Sequence, residues 1–183
     1  MKGIVFTEFL EMVEDLFSPE IADRIIETSD LQSGGVYTAV GTYDHNELVQ
    51  LVTQLSTATG IAVPHLLHTF GKHLFGRFVV SYPQFFGGVG SAFAFLEHVE
   101  GYMHVEVRKL YPNADLPRFE YDTSEPRRLM MIYRSTRPFA DLAEGLISGC
   151  IEHFGEQIDI QREDLSDGQG TCARFSLTKG VNL

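Results

Sequence analysis

Basic residues are scarce in this chain. Its 183 residues include 14 Lys and Arg against 25 Asp and Glu, giving a formal charge of −11, with a pI near 5.0. Nucleic-acid affinity rests mainly on clustered Lys and Arg, so this balance argues against a phosphate-backbone binder and leaves a basic protein partner open. Cysteine is almost missing: Cys150 and Cys172 show neither CxxC nor CxxCH spacing. They read as free or buried thiols of a reducing cytoplasm, with no group attached through them. No apolar run approaches the roughly 20 residues that would span a bilayer. The opening Met1-Lys2-Gly3-Ile4-Val5-Phe6 has the look of a signal peptide, but Glu8, Glu11, Glu14 and Asp15 interrupt it, so no export signal is expected. There is no GxSxG elbow, no HExxH pair and no nucleophilic cysteine motif. Gly87-Gly88-Val89-Gly90 lacks the Lys and Ser or Thr of a phosphate loop. The chain is therefore not expected to be an enzyme acting through its own side chains.

A length of 183 residues suits one domain, or two lobes sharing a core. Val5, Phe9, Met12, Val13 and Leu16 recur at helical spacing, predicting an amphipathic helix over Gly3 to Phe17. Ser18-Pro19-Glu20 reads as a cap and first turn of a second helix ending near Thr28. Val36 to Val40 is expected to be a loop or an isolated extended piece. Asp44 with Glu47 predicts a capping box on a helix stopped by Gly60. Further helices are predicted from Pro64 to about Val80, from Ser91 to Leu110, and along the face Phe139, Leu142, Leu146, Ile147, Cys150 and Phe154. Tyr111 to Pro117 breaks the chain between the second of these and the strands that follow. Arg118 to Asp122, Leu129 to Arg137, Gln157 to Glu163 and Thr171 to Thr178 read as strands. The class is α+β: a helical front half, then helices on an antiparallel sheet of about four strands.

Two stretches are candidates for chemistry. On a strand, Tyr133, Ser135 and Arg137 would project to one side, with the outer two about 13 Å apart. Phenol, hydroxyl and guanidinium together suit a ligand with two separated anionic groups, such as the propionates of haem; the polar face of an ordinary edge strand is the competing reading. His104 lies on a helix with Gly101 one turn before it and Val107 near it on the other side, leaving a gap beside apolar surface. One neutral imidazole for iron and one anchor set for propionates is what a noncovalent b-type haem needs. The other histidines lack such a setting. His65, His68 and His73 share a helix without metal-ligand spacing, and His45 and His153 sit at helix ends.

The opening Met1-Lys2-Gly3-Ile4-Val5, the run His104-Val105-Glu106-Val107-Arg108-Lys109-Leu110-Tyr111-Pro112 and the motif Tyr133-x-Ser135-x-Arg137 resemble the H-NOX family of haem gas sensors. That family includes bacterial stand-alone sensors and the haem domain of soluble guanylate cyclase. The likeness runs over the whole chain, as one domain at 1–183. It implies a helical lobe at about 1–62 and a haem-anchoring lobe at about 63–183, with haem b held noncovalently between them. By this resemblance His104 is the iron ligand, Tyr133, Ser135 and Arg137 hold the propionates, Pro117 presses on the porphyrin, and Val5 and Phe78 shape the pocket.

The resemblance also assigns the distal side. Members that hold O2 use a distal Tyr with polar partners, because bound O2 is stabilised by a donated hydrogen bond. Here those positions fall on Leu142, Phe9 and Leu74, which lack a strong donor. An apolar pocket implies a sensor for NO, with CO as a further candidate ligand, while O2 sensing or haem redox chemistry is the alternative. The direction of His73, beside Leu74, stays open. The mechanism implied is a switch: NO at ferrous haem breaks the bond to His104, distortion at Pro117 is relieved, and one lobe shifts against the other. The chain ends at Leu183 with no output domain. The expected partner is thus a separate histidine kinase or cyclic-di-GMP enzyme, and the setting is cytoplasmic. A C-terminal zinc site, present in some members, is not expected, since the loop before Cys172 offers no Cys or His.

Overall fold

The computed structural model describes residues 1–112 and 114–180; Asn113, inside the predicted break, lies outside the described residues. The chain begins with α1 (Gly3–Leu16), which turns Phe6, Phe9, Met12 and Val13 inward. In α2 (Pro19–Glu27), Ser18 caps the first turn by accepting from the Ile21 N–H at 3.3 Å. Next come α3 (His45–Thr59), ended by Gly60 at φ 74°, and α4 (Val63–Ser81). A short 3₁₀ turn at Pro83–Phe85 leads to α5 (Ala92–His98). Then follow a π-helical turn at Val99–Met103 and α6 (His104–Leu110). No helix is long and apolar enough to cross a membrane among the described residues.

The second half supplies β1 (Arg118–Glu125), β2 (Arg128–Arg134), α7 (Ala140–Phe154), β3 (Ile158–Asp164) and β4 (Cys172–Lys179). The four strands form one antiparallel sheet in the order β1-β2-β4-β3. The α+β class read from the sequence is the class observed. Two apolar clusters fill the interior. One joins α1, α2 and α3 to Leu66, Leu67, Phe70 and Leu74 of α4 and to Leu142 of α7. The other packs α5 and the opposite side of α7 on Leu129, Met131, Ala173, Phe175 and Leu177 of the sheet. The first cluster thus draws on residues beyond position 62, and α4 and α7 belong to both.

Three local expectations are corrected. The helix predicted from Ser91 to Leu110 is not one α-helix. A π turn widens it in the middle, and such turns mark places where the side-chain register is shifted locally. The Asp44–Glu47 capping box does not form. Asp44 accepts from the Asn46 N–H at 2.9 Å. Glu47, only 4% exposed, turns away to accept from the Ser33 N–H at 3.2 Å, the Ser33 hydroxyl at 2.5 Å and the Tyr37 hydroxyl at 2.7 Å. Three donors satisfy a buried carboxylate better than one helix-end N–H, so the loop wins it. Finally, β2 stops at Arg134, three residues earlier than predicted. The Arg137 N–H bonds to Ser135 Oγ at 3.1 Å and the Phe139 N–H to the Arg137 carbonyl at 2.9 Å, which curls the segment into a turn ahead of α7.

Helices α4 and α7 approach each other closely, and glycine makes this possible. A Cβ at Gly145 would strike the His68 carbonyl and Gly71, both backbone, which cannot swing aside. At Gly76, farther along α4, a Cβ would meet nothing within 4 Å. Gly145→Ala is expected to lower the thermal midpoint by several degrees, through overpacking of about 1–3 kcal/mol. Gly76→Ala should hold or raise it, since Ala suits a helix interior better by about 1 kcal/mol. Calorimetry on both variants checks the pair.

Candidate functional site

A cavity of about 390 Å³ lies where the two apolar clusters meet. Ile4 and Val5 of α1, Leu74 and Phe78 of α4, Val107 of α6, Leu116 and Pro117 of the following loop, and Leu142 and Leu146 of α7 give it hydrocarbon walls. Its volume falls in the range of about 300–1,000 Å³ typical of small-molecule sites. Polar groups cluster on one part of the wall: Tyr133 near the end of β2, then Ser135 and Arg137 in the turn after it. Each of the three still faces the cavity, although the turn replaces the evenly spaced ladder of a strand.

The Arg137 side chain is 16% exposed, and its orientation is fixed by Asp115. Nη1 donates to the Asp115 carbonyl at 3.0 Å, and Nη2 lies 3.1 Å from the Asp115 carboxylate. The same carboxylate accepts from the Thr136 hydroxyl at 2.9 Å. Among the described residues, Arg137 Nε has no protein acceptor, so the guanidinium keeps a donor for a ligand. Ser135 Oγ accepts from the Arg137 N–H and has its own O–H to give. Tyr133 is 2% exposed, and burial raises its phenol above the usual range, holding it in the donating form while the nearby Ser135 and Arg137 pull the other way.

His104 opens α6 directly after the π turn and lines the cavity. Its side chain is 12% exposed, and Nδ1 sits 3.0 Å from Glu100 Oε2. Burial lowers the imidazole from its ordinary value, with the Glu100 contact opposing that effect. The ring is thereby favoured in its neutral form, which has a lone pair to give to a metal. With Nδ1 engaged by Glu100, Nε2 is the nitrogen left for a ligand. A flat, apolar group with anionic substituents on one edge and a metal that accepts imidazole would match this wall chemistry; haem has all three properties.

Of the residues singled out in the sequence, the structure brings His104, Pro117, Val5, Phe78, Leu74, Leu142, Tyr133, Ser135 and Arg137 to this one cavity. Phe9 is placed elsewhere. It is fully buried in the helical cluster, edge-on to Phe70 with ring centroids 5.2 Å apart. The direction of His73 is also fixed: its Nε2 is buried 3.6 Å from Glu8 Oε2, and the residue is not part of the cavity wall. Among the other histidines, His68 Nε2 meets Ser148 Oγ at 3.0 Å across α4 and α7. Sequence reasoning missed Glu100 and Asp115. Glu100 stands four residues before His104, a one-turn spacing that could have flagged it; Asp115 carries no such signal.

The Haem-NO-binding family model matches residues 2–162. The Fe(II) unliganded H-NOX protein from K. algicida is 40% identical, covering 100% of this chain and 98% of its own, with a TM-score of 0.94. The H-NOX protein from Shewanella woodyi in the Fe(II)CO state is also 40% identical, with 100% of this chain and 98% of that one covered and a TM-score of 0.83. At 21% identity, an Fe(II)NO H-NOX protein from S. oneidensis shares the fold at a TM-score of 0.90, over 99% of this chain and 100% of that one. The comparison with curated proteins gives no match. With a family match over nearly the whole chain and a cavity whose wall chemistry suits haem, this chain belongs to the Haem-NO-binding, or H-NOX, family of haem-based gas sensors.

Proposed function

We propose that the chain senses NO with noncovalent haem b, ligated through His104, and passes the signal to a separate protein. The observation that carries the reading is the pairing of a neutral, cavity-facing His104 with hydrocarbon at Leu74 and Leu142. His104 would hold the iron of bound haem, and that ferrous iron would supply the site at which a gas binds. Tyr133, Ser135 and Arg137 would donate to its propionates, and Asp115 keeps the Arg137 fork in position for that contact. Pro117, in the loop between α6 and β1, would press on its face. Leu74 and Leu142 exclude water and offer no hydrogen bond. NO attaches tightly without such a bond, while bound O2 depends on one.

Signal output in this reading follows from the mechanics of the helices. His104 sits at the head of α6, so its release frees that helix and the Pro117 loop from the cavity. The lobe at about 1–62 would then shift relative to the lobe at about 63–183, biasing a two-state equilibrium. The acidic surface is compatible with docking on a histidine kinase or a cyclic-di-GMP enzyme with a basic face. A cytoplasmic setting agrees with the two free thiols, Cys150 and Cys172. O2 binding or haem redox chemistry is the alternative. It requires a donor, and among the described residues the phenols on the cavity wall besides the anchor Tyr133 are Tyr82 and Tyr111.

Two variants test the assignment. His104→Gly should fold and lose most of the haem retained on gel filtration, and added imidazole should restore haem uptake. Retention equal to the parent would remove His104 from its role. Leu142→Tyr places a phenol on the hydrocarbon wall. A hydrogen bond of about 1.5 kcal/mol would slow O2 loss roughly tenfold, read by stopped-flow absorbance. If the parent already holds O2 and Tyr82→Phe releases it, the alternative replaces this reading.

A further inference from the structure

Glu100 meets His104 in a setting unlike that of an ordinary pair one turn apart on a helix. Such pairs on open surface are weak and loosely held. Here the Glu100 side chain is 29% exposed and His104 12%, and the carboxylate is gripped from three directions. Oε2 accepts from His104 Nδ1 at 3.0 Å and from the Phe119 backbone N–H, at the start of β1, at 3.3 Å. Oε1 lies 3.5 Å from Arg108 Nη2, one turn beyond His104. The π turn at Val99–Met103 contains Glu100 and ends immediately before His104, so it sets how the two side chains face each other. Phe119 closes the arrangement, its ring 6.0 Å from that of His104 and 5.8 Å from that of Tyr133.

Three consequences follow from these contacts. A carboxylate at Nδ1 fixes the proton there and so presents Nε2 to the cavity as a lone pair. Negative charge on that side makes the imidazole a stronger donor to a metal, as carboxylates behind ligating histidines do in general. The Phe119 N–H bond ties the carboxylate to the sheet, so the ring cannot turn without disturbing the start of β1.

We propose that Glu100 is the positioning residue of the gas-sensing site: it fixes the tautomer of His104, strengthens its hold on iron, and so sets how readily NO releases it. This rests on the reading of His104 as the iron ligand. Arg108 tempers the effect by drawing on the other carboxylate oxygen. Glu100→Gln keeps an acceptor for Nδ1 but removes the charge, whereas Glu100→Leu removes both.

The test uses the full-length chain in two states. In the haem-loaded ferrous protein, the iron–histidine stretch in the resonance Raman spectrum should fall for Glu100→Gln and further for Glu100→Leu. The rate at which NO releases His104 should rise by about tenfold, in line with the usual cost of removing such a partner. In the haem-free protein, the ring ¹⁵N resonances of His104 should show the Nδ1–H tautomer in the parent and a mixture in Glu100→Leu. Unchanged stretch and release rate in Glu100→Gln would overturn the proposal, as would an unchanged tautomer in Glu100→Leu. If the parent takes up no haem, the assignment of His104 fails, and the ¹⁵N measurement still decides whether Glu100 orients the ring.

Discussion

A buried imidazole on the wall of a largely apolar cavity is the constraint on which the rest of this structure depends. Burial disfavours the charged ring, and the Glu100 carboxylate stands behind it, 3.0 Å from Nδ1. Every element around the cavity serves one of two ends. Hydrocarbon from α1, α4 and α7 lines one side, and the end of β2 with the turn after it brings a phenol, a hydroxyl and a guanidinium to another. A charged ring or a scattered polar lining would leave unpaired groups in a site that cannot solvate them.

Such a cavity needs two bodies to form its walls and a firm joint between them. The joint is the contact of α4 with α7, where Gly71 and Gly145 let the backbones meet. Leu142 packs into the helical cluster, while Ala143 and Ile147 of the same helix pack on the sheet. The loop that leads into α3 is held separately, by Glu47 and its three donors. Its partner strand segment at Lys2 and Thr42 fixes the start of α1, which brings Ile4 and Val5 to the cavity. Placement of the site thus rests on backbone contacts far from the groups that would touch a ligand.

Much of this was legible in the sequence, and the limits of legibility have physical causes. Helices with clear apolar periodicity and a cap or a stopping glycine, such as the one from His45 to Thr59, were found close to their true ends. Strand termini were less well read, because β propensity at Ser135 and Arg137 competes with a local hydroxyl-to-backbone bond that pattern alone does not weigh. Phe9 and Leu74 look equivalent as apolar positions, yet the edge-on contact with Phe70 takes Phe9 into the core. Glu47 carries a capping signature, and only the folded loop shows that better donors claim it. Asp115 reads as a loop acid, and its grip on Arg137 depends on a tertiary contact that no spacing encodes.

The most direct test of the central claim is the absorption spectrum of the reduced, haem-loaded protein, taken without oxygen, then in air, then with NO. The account predicts an unliganded ferrous spectrum that air does not convert to an oxygenated form. With NO it predicts the spectrum of a five-coordinate complex in which His104 is no longer bound. A stable oxygenated form in air, or an NO complex that keeps His104, would contradict the reading of an apolar distal wall opposite a releasable histidine.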